Sequence, residues 1–434
     1  MAKLSTTYVC DACGTQSPMQ MGRCPRCGAW DSMKAKVDSS SFGPGLSTKS
    51  ALTTQVQTLH DIENASLQRF PSGINEIDEV LGGGWVIGSV LLIAGEPGIG
   101  KSTLLLQLAQ KAQEKSVLYV SGEESLAQVK MRAERLGVSG NMQLTRETDA
   151  RALADYIRLH IPDLIIVDSI QTLLAEEGNV PGSITQVRDA TALLTQATKD
   201  VGSTLVLIGH VTKQGNIAGP KVIEHMVDAT FALESAAGFR VLRAIKNRFG
   251  PAGEMAVFEM RGEGMHAVAN PSEAFLAERP KGVPGSVVVA ALEGQRPLLL
   301  EVQALAAKSP YASPRRIVQG LDLRRVDMIL AVLERRLELP LAGLDIYVNV
   351  AGGLRLTDTG TDLAVAIAVY SAITNRTVPD DTVVTGEIGL AGEVRSVPQL
   401  ERRRDEAARA KYDRFISPSS SVKQLSQVIE QVWA

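Results

Sequence analysis

The run Gly95-Glu96-Pro97-Gly98-Ile99-Gly100-Lys101-Ser102-Thr103 fits the phosphate-binding pattern G-x-x-x-x-G-K-S/T, and its flanks constrain the fold as much as its letters do. An apolar run, Val90–Ala94, leads into it, and an amphipathic stretch, Leu104–Ala109, leads out. Strand, glycine-rich loop and helix in that order commit this part of the chain to an α/β layer with the loop at the strand's carboxyl end. Glycines lack a Cβ, so successive backbone N–H groups can converge on phosphate oxygens, and the following helix start adds partial positive charge. Lys101 is placed to reach the β- and γ-phosphates, and Ser102 to set its hydroxyl on Mg²⁺. The expected ligand is a nucleoside triphosphate.

At 434 residues the chain exceeds what one core supports, so two or three domains are expected. Its net charge of −3 (45 basic against 48 acidic residues) does not by itself advertise a nucleic-acid partner. Any such surface must come from local segregation of charge. No apolar run approaches eighteen residues, and the first residues carry no apolar leader segment, so the expectation is a cytoplasmic protein without a membrane partner.

All four cysteines lie at Cys10-x-x-Cys13 and Cys24-x-x-Cys27. Two such pairs offer four thiolates to one tetrahedral ion, so a structural Zn²⁺ is expected within residues 1–30. A knuckle this small has almost no core, and the metal would supply its folding free energy. Single-stranded DNA, a duplex junction or a protein could each be what it recognises. Residues 31–58 are rich in Ser, Thr and Gly and are expected to form a flexible linker.

Strand-like runs at 90–94, 117–120, 164–167 and 205–208 then alternate with helix-like stretches near 103–114, 125–136, 149–160 and 184–200. That alternation predicts a parallel sheet with crossover helices. Runs at 228–233, 240–246 and 255–260 follow without long helices between them and predict an antiparallel extension of the same sheet. Pro280-Lys-Gly-Val-Pro-Gly285 has the composition of a boundary. Beyond it are predicted strands at 286–292, 298–304 and 346–350, with helices at 326–337, 362–374 and 400–410.

Asp163-Leu-Ile-Ile-Val-Asp168 is an apolar strand ending in an acid, expected beside the loop strand and suited to holding the Mg²⁺ shell. Val117-Leu-Tyr-Val-Ser-Gly-Glu123-Glu124 ends in two carboxylates. One of them can orient water in line with the γ-phosphate. Glu123 is the favoured residue, because Glu124 also suits the first turn of the next helix.

These segments, with Phe70-Pro-Ser-Gly-Ile-Asn-Glu-Ile-Asp78-Glu-Val-Leu-Gly-Gly-Gly84, resemble the RecA/DnaB/KaiC class of ATPases. Lys246-Asn-Arg-Phe-Gly250, the four-cysteine knuckle, Gly209-His-Val-Thr-Lys213 and a Lon-protease-like C-terminal region narrow the resemblance to the RadA (Sms) family of bacterial DNA repair proteins. The implied fold is α/β: a RecA-like core over 59–272 and a Lon-protease-like α+β domain over 273–434. The implied partners are ATP, single-stranded and branched DNA, recombinase or replication proteins, and further copies of the chain in a homo-hexamer with ATP between subunits.

Lys246 and Arg248, two apart on an extended segment, project from one face and resemble a trans-acting pair that reaches a neighbour's γ-phosphate. Without the family they read equally well as a solvated strand end. His210 ends a strand where the class keeps a γ-phosphate sensor, although a lone histidine is often structural. The stretches 175–183 and 211–221 occupy the positions of DNA-contacting loops. Lys213 and Lys221 make the second the better candidate, with an ordinary polar surface loop as the alternative.

Similarity to Lon protease runs through 352–366 and 384–398. Lon uses a serine nucleophile and a lysine base, and those positions hold Asp362 and Glu401 here, so no peptidase activity is expected. Of the arginine clusters in this region, the resemblance favours Arg315, Arg316 and Arg324 for DNA contact. The sequence alone allows either a DNA-facing strip or pairing within helices. The leading expectation is a DNA-dependent ATPase that drives branch migration in recombinational repair. The alternatives are an ATP-dependent Lon-like protease and a KaiC-like phosphotransferase or scaffold.

Overall fold

The computed structural model describes residues 6–10, 15–17, 22–28, 33–37, 67–112, 114–140, 142–176, 180, 182–210, 221–419 and 423–434. The chain divides into two units, Met1–Ser66 and Leu67–Ala434. In the first, β1 (Thr6–Cys10) pairs antiparallel with β2 (Gln16–Ser17) and with β3 (Met33–Val37). β3 falls where composition suggests the start of a tether. Its Met-Lys-Ala-Lys-Val sequence alternates apolar and charged residues with the two-residue period of a strand, and that local signal outweighs the average.

The second unit opens on a hairpin, β4 (Arg69–Phe70) with β5 (Trp85–Val86), bracketing α1 (Asn75–Leu81). Then come β6 (Val90–Gly95), α2 (Lys101–Lys111), β7 (Val117–Ser121), α3 (Leu126–Arg135), β8 (Gln143–Thr145), α4 (Ala150–His160), β9 (Leu164–Asp168), α5 (Ile184–Val201), β10 (Thr204–His210) and α6 (Lys221–Met226). β11 (Ala229–Ala236), β12 (Phe239–Asn247), β13 (Met255–Arg261) and β14 (Gly264–Ala267) complete a nine-stranded sheet in the order β14-β13-β12-β11-β6-β10-β9-β7-β8.

Two details differ from expectation. β11 runs parallel to β6, so the antiparallel extension begins only at β12. β10 lies between β6 and β9, so the acid-ending strand is not the loop strand's neighbour. Strand order depends on pairings far apart in sequence, which local periodicity does not encode.

The central strands are buried on both faces, as a helix-covered parallel sheet requires. Leu91 and Ile93 pack with Leu104, Leu105 and Leu108 of α2, while Val90 and Leu92 pack with the α4 and α5 side chains Leu153, Ile157 and Leu194. This period of two pins the register, because a one-residue slip would exchange the two cores.

Past α7 (Pro271–Leu276) a second, mixed sheet forms. Its elements are β15 (Ser286–Glu293), β16 (Arg296–Lys308), β17 (Arg316–Gln319), α8 (Leu323–Leu337), β18 (Leu344–Val350), α9 (Asp362–Thr374), β19 (Thr382–Val384), β20 (Glu387–Ile388), β21 (Val394–Arg395), α10 (Leu400–Arg409), β22 (Arg414–Ile416) and α11 (Leu425–Trp433). Six strands pair in the order β17-β18-β16-β15-β19-β22. α9 is apolar on every side and buried from Leu363 to Val369, which only a helix packed all round tolerates. The two sheets are joined tightly: Arg243 of β12 pairs with buried Glu293 at the end of β15. Nearby, Gly253 and Gly294 approach so closely that a Cβ on Gly294 would lie 2.3 Å from Gly253 carbon. No helix among the described residues is long and apolar enough to cross a membrane.

Candidate nucleotide-binding site

The loop after β6 is built for close approach to a ligand. Gly98 and Gly100 hold φ of 77° and 112°, where a side chain would be strained, and a Cβ on Gly98 would meet nothing within 4 Å. Glu96, Pro97 and Ile99 complete the turn, and Ser102 and Thr103 sit half-buried in the first turn of α2. Open backbone at the start of an eleven-residue helix suits a polyphosphate. Lys101 is buried, and its Nζ donates to the Gly95 and Glu96 carbonyls at 2.9 Å each. Burial pulls its pKa below the usual lysine value, against the opposing pull of Asp168 and Glu123.

Three strand ends converge on this lysine. His210, the last residue of β10, places Nδ1 3.3 Å from Lys101 Nζ and Nε2 2.9 Å from Glu123 Oε1. Ser169 Oγ donates to the same Glu123 oxygen at 2.5 Å. The His210 hydrogen bond, helped by Ser169 and by the nearby Lys101 charge, holds the Glu123 carboxyl down to about 2 against the effect of burial. Glu123 is therefore ionised throughout the neutral range. Glu124 turns aside and pairs with Arg132 of α3. Asp168 is buried at the end of β9, with Tyr119 Oη donating to its Oδ2 at 2.7 Å. The side chains of Lys101, Glu123, Asp168 and His210 thus share one site at the carboxyl ends of the parallel strands, with Ser102 at the helix start beside it.

Lys246 and Arg248 lie elsewhere. Asn247 pairs with Ala229, which pairs in turn with Leu91, so the end of β12 sits beside the beginning of β6, away from the loop after Gly95. Lys246 Nζ donates to the Glu224 and Val227 carbonyls at 2.6 and 2.7 Å. Desolvation and the neighbouring Arg248 pull its pKa down, against Asp228 and Glu224. Arg248 is 59% exposed and 3.4 Å from buried Asp228.

The remaining predicted residues are more scattered. Lys213 and the Lys221 side chain lie outside the described residues, as do Cys13 and the Cys10 side chain. Arg315 stacks its guanidinium 4.1 Å from the Tyr311 ring centroid. Arg316 is engaged with the Arg315 and Leu344 carbonyls at 3.1 and 2.5 Å. Arg324 is exposed in the first turn of α8. At the second cysteine pair, Gly28 N–H donates to the Cys24 carbonyl at 3.0 Å with Gly28 φ at 74°, a tight turn of the kind that presents two sulfurs to one ion. Cys24 is buried and Cys27 exposed. Among the described residues no group of three or more His, Cys, Asp or Glu is placed to hold a metal.

Asp362 is buried, pairs with Arg325 and accepts from the Ile388 amide at 3.1 Å. Glu401 is exposed and pairs with Arg404 at 3.2 Å. Sequence reasoning gave Tyr119 and Asp228 no role, and noted Arg325 only within an arginine cluster, not as the partner of Asp362. Only Tyr119 left a clue, as the one polar-tipped side chain in the run Val117–Val120.

A phosphate loop, a carboxylate after one strand in contact with a histidine ending another, and an acid ending the strand between them define an ATPase of the RecA/KaiC class. Residues 70–148 match the family model described as KaiC, residues 8–35 that of a rubredoxin metal binding domain, and residues 324–421 that of subunit ChlI of Mg-chelatase. Proteins named DNA repair protein RadA from Halalkalibacterium halodurans and Bacillus subtilis are 44% and 43% identical, each over 97% of this chain and 94% of the relative. One from Pseudomonas aeruginosa is 44% identical over 96% of this chain and 94% of its own. The chain belongs to the RadA family of DNA repair proteins, with an ATPase domain of RecA type. Among solved structures, a KaiC-like protein from Pyrococcus horikoshii aligns with 46% of this chain and 99% of its own at 19% identity and a TM-score of 0.39, too distant to bear on function.

Proposed function

We propose that this chain is a ring-forming, DNA-stimulated ATPase that works in the cytoplasm, binds single-stranded and branched DNA, and drives branch migration of recombination intermediates. The observation that carries the ATPase part is the unbroken contact path from Lys101 through His210 to Glu123. In this reading residues 59–272 form the motor. Residues 1–30 form a zinc knuckle on Cys10, Cys13, Cys24 and Cys27, 31–58 a linker, and 273–434 a Lon-like domain without a peptidase dyad.

Lys101 exchanges the Gly95 and Glu96 carbonyls for phosphate oxygens of ATP, and the amides of 95–103 cradle the rest. Ser102 and Asp168 would hold Mg²⁺, which when bound neutralises developing charge on the phosphates. Glu123, fully ionised, orients the attacking water by accepting its hydrogen bond. Its low pKa suits holding water better than storing a proton. His210 touches both the phosphate-facing lysine and the water-facing carboxylate, so it can register whether a γ-phosphate is present.

Lys246 and Arg248 stand away from the chain's own phosphate loop, so a catalytic role for them requires the nucleotide of another subunit. That placement supports a ring with sites between protomers and an arginine-finger role for the pair. Lys213, Lys221, Arg315, Arg316 and Arg324 are the proposed DNA contacts. Phosphate contacts predict an affinity that falls steeply with salt. A Lon-like protease is disfavoured because Asp362 is sealed by Arg325 and Glu401 faces solvent. The test is ATP turnover with no DNA, with single strands and with forked duplex. Stimulation by the DNA supports the reading, and equal turnover in all three contradicts it.

A further inference from the structure

Asp168 accepts one side-chain hydrogen bond among the described residues, from Tyr119 Oη to Oδ2 at 2.7 Å. Tyr119 sits on β7, whose residues pair in register with β9: Tyr119 opposite Ile166, Ser121 opposite Asp168. It is among the largest fully buried side chains of the protein. A buried tyrosine stabilises a sheet as well through its ring as phenylalanine does, so its hydroxyl calls for a separate explanation. In this pair the phenol is the donor, because an ionised carboxylate oxygen can only accept.

The two acids of the site are therefore restrained by different devices. Glu123 is held by His210 and Ser169, whereas the one side chain bonded to the Asp168 carboxylate among the described residues is Tyr119. A carboxylate with one oxygen pinned cannot rotate freely about its Cβ–Cγ bond, and its other oxygen is presented in one orientation. Outer partners of this kind tune metal sites because they fix the angle and basicity of the groups that face the ion.

We propose that Tyr119 is a positioning residue for magnesium: its phenol occupies Asp168 Oδ2 and leaves Oδ1 to meet the hydrated ion. This rests on the reading that Asp168 serves Mg²⁺. Tyr119 touches neither nucleotide nor metal and acts only through the carboxylate.

The test uses full-length protein and a fluorescent ADP analogue, with binding followed as Mg²⁺ is titrated. Tyr119→Phe keeps the ring and removes the oxygen. The expected result is a Mg²⁺ midpoint raised about tenfold, unchanged affinity in EDTA, and turnover that recovers at high Mg²⁺. A Mg²⁺ midpoint equal to wild type overturns the proposal, whatever happens to the melting temperature. Should Tyr119→Phe fold poorly, Tyr119→Leu, which also removes the hydroxyl, is titrated in its place; in the Asp168→Asn background either change should add no further Mg²⁺ shift, and an independent additive shift overturns the idea. Asp168→Asn alone separates the two readings: if it leaves the midpoint unmoved, the metal role of Asp168 fails. If it moves the midpoint and Tyr119→Phe does not, only the inference about Tyr119 fails.

Discussion

Glu123 Oε1 and His210 Nε2 meet at 2.9 Å although the strands that carry them, β7 and β10, are separated by β9. Glu123 follows β7 and reaches across the end of β9, where Ser169 steadies it. The contact ties Glu123 to the strand lying against the phosphate-loop strand, and in the proposed function it is the route from phosphate occupancy to hydrolysis.

If that contact is used in turnover, His210→Ala should lower kcat by roughly a hundredfold while nucleotide affinity changes little. Steady-state kinetics beside equilibrium binding of an ATP analogue would separate the two. A variant with wild-type kcat would mean that His210 is only a structural neighbour.

Acid stability carries the same signature. Glu123 is held at about 2 against an ordinary 4.5, chiefly by His210. A carboxylate with a depressed native pKa contributes stability above its unfolded pKa and loses it as pH falls through the native one, so the window is pH 4.5 down to about 2. Glu123 is 44% exposed, so solvent screens the effect and keeps it small. Comparison of wild type with Glu123→Gln should show a stability difference that narrows across that window. Parallel acid-unfolding curves would contradict the assignment.

Arg403 offers a test of the C-terminal fold. It is 0% exposed and donates to both Asp358 oxygens, at 2.5 and 3.0 Å, and to the Ala290 carbonyl at 2.6 Å. Arg403→Met should strand a buried carboxylate and cost about 3–5 kcal/mol, read from denaturant unfolding. The neighbouring Arg402→Met should be near neutral, since Arg402 is exposed. Equal losses from the two would show that the buried pair contributes nothing special.

These contrasts mark what the amino-acid order could reveal. The phosphate loop and the strands around it were legible because a local motif and a local period coincide on the same residues. β6, β7, β9 and β10 begin within a residue of where periodicity predicts them. The insertion of β10 between β6 and β9 was not legible, since pairing between Thr204 and Leu164 is set by packing over many residues. Arg402, Arg403 and Arg404 stand side by side in the sequence, with no local signal to tell them apart. Helical geometry turns Arg403 inward and its neighbours outward, and partners distant in sequence, Asp358 at 45 positions and the Ala290 carbonyl at 113, make that orientation stable. Tyr119 was hidden for the same reason: the significance of its hydroxyl depends on Asp168, 49 positions later.

The most direct test of the central claim mixes two disabled proteins. Lys101→Ala removes the phosphate-loop lysine and Arg248→Ala removes the proposed trans-acting group, and each alone should lose most turnover. Shared sites predict that mixtures regain ATPase activity, because some interfaces then combine an intact loop with an intact Arg248. Mixtures that stay as inactive as the separate variants at every ratio, or an Arg248→Ala protein that hydrolyses ATP normally, would contradict it.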